Sequence, residues 1–166
     1  IIESKGGYEN VKIAWVGDGN NVANSWINAA SVLGLNLHLA CPEGYVIAPE
    51  IMDRASGGSV DQIVFSNDPK EAVKDADVVY TGVWASMGDE EEHVVRLKAF
   101  HGFEVNAQLM SHAKDDAIVM HCLPAHRGEE ISEELLEAPN GVIWDQAENK
   151  RHMHKAILEA LILGIK

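Results

Sequence analysis

Short apolar runs rich in β-branched residues alternate along this chain with segments of helical periodicity, and that alternation constrains the fold more than any other feature. The runs are Val11–Val16, Leu35–Ala40, Gln62–Ser66, Asp77–Thr81, Ala117–His121 and Val142–Trp144. Between them, Asn20–Leu33, Ile47–Ala55, Asp68–Asp75, Glu90–Ala99, Val105–Ala113 and Ser132–Glu137 read as helices. In the first of these, Val22, Trp26, Ala29, Ala30 and Leu33 share one side. A last helix is expected over about Ala147–Leu163. Strands that are apolar on both faces and separated by helices form a parallel sheet covered on both sides. The expected fold is therefore α/β: a doubly wound, Rossmann-like parallel sheet with helices on both faces, forming a single domain over residues 1–166. Such sheets bind ligands beyond the carboxyl ends of their strands. The informative segments are then Gly17–Ser25, Gly82–Glu92 and Cys122–Glu130.

Charge narrows the partners. Twenty-six acidic residues against 13 basic ones give a formal charge of −13, which repels phosphate backbones and anionic lipid. Neither nucleic acid nor a membrane is an expected partner, and the longest apolar run, Ala160–Leu163, is far shorter than a membrane span. No basic cluster marks a phosphate site, so any such site is expected on another domain. Cys41 and Cys122 do not make a disulfide framework, which favours a reducing, cytoplasmic compartment. The chain opens on Ile-Ile-Glu-Ser, with neither signal-peptide nor transit-peptide character and no initiator Met, as expected of a fragment or a processed chain. Ile157, Leu158, Leu161, Ile162, Leu163 and Ile165 leave the last helix almost no polar face near its end, so it is expected to dock on something beyond its own sheet.

Three loops carry the chemistry. Gly17-Asp18-Gly19-Asn20-Asn21 follows the first strand and opens a helix, a pattern shared by phosphate-binding turns and by plain structural turns with an asparagine cap. A dinucleotide fingerprint would need a third glycine where Val22 or Ala23 stands and an acid near Ala40-Cys41-Pro42. Trp84-Ala85-Ser86-Met87-Gly88 follows the fourth strand, and the carboxylates after it suit the first turn of a helix. His121-Cys122-Leu123-Pro124 ends the fifth. A zinc reading would take Cys122 and His126 with His121, but structural zinc sites use four ligands in paired spacings and no second pair exists, so no metal is expected. A Cys–His nucleophile pair is disfavoured because neighbours on a strand point to opposite faces.

Taken in order and spacing, these loops resemble the ornithine carbamoyltransferase family, as does the tail Asp145-Gln146-Ala147-Glu148-Asn149. The resemblance runs from about Val11 to Lys166 and implies the ornithine-binding domain of a two-domain enzyme, whose carbamoyl-phosphate domain is not in this chain. It implies that Asn21 binds the α-carboxylate end of ornithine and that Ser86 and Met87 close over the substrate. It implies that Cys122, the candidate catalytic residue, and Leu123 contact ornithine and the carbamoyl group. Two positions depart from the family's pattern: Gly82 stands where the resemblance implies a substrate-holding aspartate, and Lys150 where it implies a carbamoyl-phosphate-binding arginine. The implied reaction joins the neutral δ-amine of ornithine to the carbamoyl group of carbamoyl phosphate, giving citrulline and phosphate without a cofactor. The implied assembly is a homotrimer with sites shared between subunits.

Overall fold

The structure, a computed structural model, describes every residue except Ser56, residues 86–91, Asn140 and Lys166. Five parallel strands, β1 (Lys12–Val16), β2 (Asn36–Ala40), β3 (Ile63–Ser66), β4 (Val78–Thr81) and β5 (Ile118–His121), lie in the order β3-β2-β1-β4-β5. β1 is central, pairing Trp15 with Leu39 on one side and with Tyr80 on the other. Strand order reverses between β1 and β4, and it is at such a switch point that a crevice opens above the sheet. Helices α1 (Ile2–Lys5), α2 (Asn21–Leu33), α3 (Pro49–Ala55), α4 (Pro69–Val73), α5 (His93–Ala99), α6 (Ala107–Met110), α7 (Glu133–Leu136) and α8 (Ile143–Leu163) connect or flank the strands.

Both faces of the sheet are buried at β1, β4 and β5, as the continuous apolar runs require, while the edge strand β3 leaves Val64 and Phe65 exposed. On one face Trp15, Leu37, Leu39 and Tyr80 pack beneath Ala23, Ile27 and Ala30 of α2. On the other, Ala14, Val16, Val79 and Val119 meet Val73, Phe100, Val105, Leu109 and Leu136. Short polar side chains cap four of the helices: Asn20 accepts from Val22 N–H and Ala23 N–H, Asp68 from Lys70 N–H, Asn106 from Leu109 N–H and Ser132 from Leu135 N–H.

Several boundaries differ from the sequence reading. Val142–Trp144 is not a strand. Val142 N–H donates to Val119 O, a single rung on β5, and α8 begins at the next residue, with Ile143 turned into the core. The helix expected over Val105–Ala113 shrinks to Ala107–Met110, because Val105 is drawn into bonding with Glu130 and Ser132. The inner stripe of α2 is rotated from the expected one, with Ala23, Ile27, Ala30 and Ser31 buried and Leu33 half exposed.

The far end of α8 is bare. Only Ile143 of its 21 residues is buried, while Leu158, Leu161 and Ile162 are 59%, 75% and 80% exposed. Changing Leu158 and Ile162 together to glutamate is expected to leave stability to urea within about 0.5 kcal/mol, since neither side chain packs on the core. The same change should shift the isolated chain toward monomer in sedimentation velocity. A large loss of stability would show that the helix end is buried after all. No helix among the described residues is long and apolar enough to cross a membrane.

Candidate functional site

The loops after β1, β4 and β5 meet at the carboxyl edge of the sheet. After β1, Gly17 N–H donates to Ala40 O and Gly19 N–H to Tyr45 O, at 3.0 and 2.8 Å. A Cβ on Gly19 would lie 2.5 Å from the Val46 carbonyl carbon, so glycine is required by the close approach of that backbone. Both glycine amides are consumed in holding the turn, which supports the structural reading of this loop. Asn20 caps α2, which leaves Asn21 as the first residue of the helix with an exposed side chain. Asn21 thus stands at the helix's amino end, where a negative charge is favoured.

Cys122 and His121 part company at the end of β5, as strand geometry demands. Cys122 lies on the Trp15–Tyr80 face, where the Tyr80 hydroxyl accepts from Gln146 Nε2 at 2.6 Å. Tyr80 is itself clamped, stacked on Trp15 and edge-on to Trp26. Burial is the largest influence on Cys122 and pushes its thiol up, against the nearby Tyr80 hydroxyl and Lys150 ammonium, which favour the thiolate. Lys150 on α8 is thus near enough to act on Cys122 electrostatically. Cys41, more deeply buried, is pushed up to about 12. Because the thiolate is the reactive form and a raised pKa keeps the thiol protonated to higher pH, Cys122 should alkylate slowly at pH 7, its rate climbing only above the usual thiol range. Mass spectrometry of iodoacetamide-treated protein across pH 6–10 checks this; full labelling within minutes at pH 7 would contradict it.

His121 points to the opposite face and is fully buried. Its Nδ1 accepts from Leu123 N–H at 2.8 Å, so the ring proton sits on Nε2 and is donated to Glu130 Oε1 at 3.1 Å. That bond fixes the Leu123-Pro124 turn, in which Leu123 has a φ of 51° and the peptide to Pro124 is cis. Gly82 sits between the loops: a Cβ there would lie 3.2 Å from Trp15 and 3.8 Å from the Cys122 sulfur. The neighbouring loop is tied down by Arg96, whose guanidinium donates to Trp84 O at 2.7 Å and to Asp18 Oδ2 at 3.2 Å while lying over the Tyr45 ring.

Asn21, Gly82, Cys122 and Leu123 therefore gather at one edge, with Lys150 across from them on α8. Ser86 and Met87 lie outside the described residues. Sequence reasoning missed Tyr80, Gln146, Arg96 and Glu130. Only Gln146 carried a signal, as a member of the tail motif.

The family model of the Asp/Orn binding domain of aspartate/ornithine carbamoyltransferases matches residues 9–161. An ornithine carbamoyltransferase of Syntrophus aciditrophicus is 57% identical over 162 residues, covering 98% of this chain and 54% of the relative. The solved ornithine carbamoyltransferase from Pyrococcus furiosus superposes with a TM-score of 0.89 at 49% identity, over 100% of this chain and 54% of that one. The anabolic enzyme from Campylobacter jejuni does so with a TM-score of 0.90 at 40% identity, over 98% and 55%. The chain spans about half the length of the curated relatives it matches. It therefore belongs to the aspartate/ornithine carbamoyltransferase family, of which it carries the Asp/Orn binding domain.

Proposed function

We propose that this chain is the amine-binding half of an ornithine carbamoyltransferase, joining the δ-amine of ornithine to the carbamoyl group of carbamoyl phosphate. The observation that carries the reading is the meeting of Asn21, Gly82, Cys122 and Leu123 at the switch-point edge in a chain 57% identical to a relative of that name. In the reaction the amine nitrogen forms a bond to the carbamoyl carbon, the bond from that carbon to phosphate oxygen breaks, and the amine gives up a proton. An alkyl amine titrates near about 10.4, so the site must favour its neutral form. A half-buried, protonated thiol beside Tyr80 meets that need, because it withholds negative charge from the ammonium and offers sulfur as a weak acceptor. Cys122 then acts by position, not as a nucleophile. Asn21 receives the α-carboxylate, and Ser86 and Met87 belong to the covering loop.

The phosphate-binding residues belong to the second domain, which in this reading precedes the chain, and three copies of the whole protein assemble with shared sites. Lys150 replaces a planar, bidentate guanidinium with a point charge at the carbamoyl-phosphate side. Among the described residues both cysteines are free thiols, which fits a reducing cytoplasm. No cofactor enters the proposed reaction.

A product assay on the full-length protein, comparing ornithine, putrescine and N-acetylornithine, tests the reading. Ornithine should be carbamoylated fastest. Preference for putrescine would assign a different amine, in keeping with Gly82. No product from any of the three would identify a carbamoyltransferase-like domain without catalysis.

A further inference from the structure

The hairpin that follows the Leu123-Pro124 turn brings together three ligand-type side chains that the proposed reaction does not use. Gly128, at a φ of 81°, reverses the chain, with its N–H donating to Ile131 O and Glu129 N–H donating to His126 O. His126, Glu129 and Glu130 consequently present one nitrogen and two carboxylate oxygens that all lie within 4.8 Å of one another. His126 Nδ1 stands 3.6 Å from Glu129 Oε2 and 4.0 Å from Glu130 Oε2.

Each carboxylate is held by one oxygen and turned toward His126 with the other. Glu130 Oε1 accepts from His121 Nε2 and from His126 N–H, whereas Oε2 is buried with no hydrogen-bond partner. The Glu130 side chain is fully buried, and a desolvated carboxylate oxygen without a partner is costly unless a cation or proton answers it. Glu129 Oε1 faces His93 Nε2 at 3.4 Å, at the start of α5, leaving Oε2 turned toward His126. Carboxylates that bind metals are themselves held by surrounding hydrogen-bonding groups.

The geometry points to a divalent cation site, formed by His126 Nδ1, Glu129 Oε2 and Glu130 Oε2, with water completing the shell. One imidazole and two carboxylates suit zinc or a neighbouring first-row ion better than calcium or magnesium, which favour oxygen alone. Tetrahedral bonds of about 2.0–2.2 Å set ligand atoms about 3.4 Å apart, so the 3.6 and 4.0 Å spacings from His126 need to close by about 0.2 and 0.6 Å, and the two carboxylate oxygens, which lie within 4.8 Å of each other, need to draw together as well. His126 and Glu129 are partly exposed and can supply that movement. A dication would also answer the hairpin's local negative charge and pin it against the start of α5. The ligand set differs from one built on Cys122: His121 has both ring nitrogens engaged, and Cys122 lies on the opposite face of the sheet.

Titration of chelator-stripped, full-length protein with zinc chloride by calorimetry tests the site, with circular dichroism confirming that each variant is folded. His126→Ala and Glu129→Gln should each weaken the binding at least about tenfold, and Cys122→Ser should leave it unchanged. The cobalt-loaded protein should show d–d absorption without a thiolate charge-transfer band. Absence of zinc binding, equal affinity in His126→Ala, or a charge-transfer band lost in Cys122→Ser would each overturn the assignment.

Discussion

Replacing His121 with alanine is expected to destabilise the fold by about 3–5 kcal/mol in chelator-treated buffer, the cost of removing one partner from a buried pair. Two groups are stranded at once. Glu130 Oε1 keeps only the His126 N–H, and Leu123 N–H loses its acceptor. Each unanswered buried group costs roughly 1–3 kcal/mol, more where a charge is involved. Urea unfolding provides the measurement. Replacing both members, as in His121→Leu with Glu130→Leu, should recover much of the loss because no buried carboxylate is left behind. If the double variant is as unstable as the sum of the single ones, the pair is not the source of the effect.

Gly82→Asp in the full-length protein should lower the KM for ornithine by about ten- to a hundredfold, the worth of a charge-assisted hydrogen bond of about 1.5–3 kcal/mol. The packing around Gly82 adds a cost. The new Cβ would meet Trp15 at 3.2 Å, and Trp15 is wholly buried and stacked on Tyr80, so it has little room to yield. Overpacking of this kind costs about 1–3 kcal/mol. Affinity and stability should therefore move in opposite directions, which steady-state kinetics and thermal unfolding on the same preparation will read separately. An unchanged or higher KM would mean that the site recognises a different amine or holds ornithine by other groups.

β1, β4 and β5 were legible because they are apolar on both faces, as strands buried inside a parallel sheet are, whereas β2 alternates between buried leucines and half-exposed Asn36 and His38 and edge strand β3 leaves Val64 and Phe65 exposed. Short helices were legible where a capping residue marked them, as Asp68 and Ser132 do for Pro69–Val73 and Glu133–Leu136, but the bounds of Ala107–Met110 were not, since four residues have too few turns to show a period. Val142–Trp144 looked like a strand from its branched and aromatic residues. Whether such a run joins a sheet depends on how far a neighbour's backbone follows it, and here β5 offers one rung. The site divides the same way. Asn21, Gly82 and Cys122 closely follow strands, so topology alone brings them to one edge. Gln146 reaches Tyr80 across 66 residues and Arg96 reaches Asp18 across 78, and local periodicity carries no trace of such meetings.

Strand order also governs when the sheet can be completed. β1 lies in the middle, yet its neighbour β4 is made long after it, Val16 and Thr81 being 65 residues apart. At the about 5–20 residues per second of ribosomal synthesis, the central strand waits about 3–13 s for that partner. During this interval β1 can pair only with β2, and the half of its edge meant for β4 stays open. Parallel pairings of such separation are slow to close once both strands exist, because the intervening loop must be ordered first. A nascent chain of this topology is thus most exposed to misassociation between the emergence of β2 and that of β4, and holding factors acting in that window should improve its yield most.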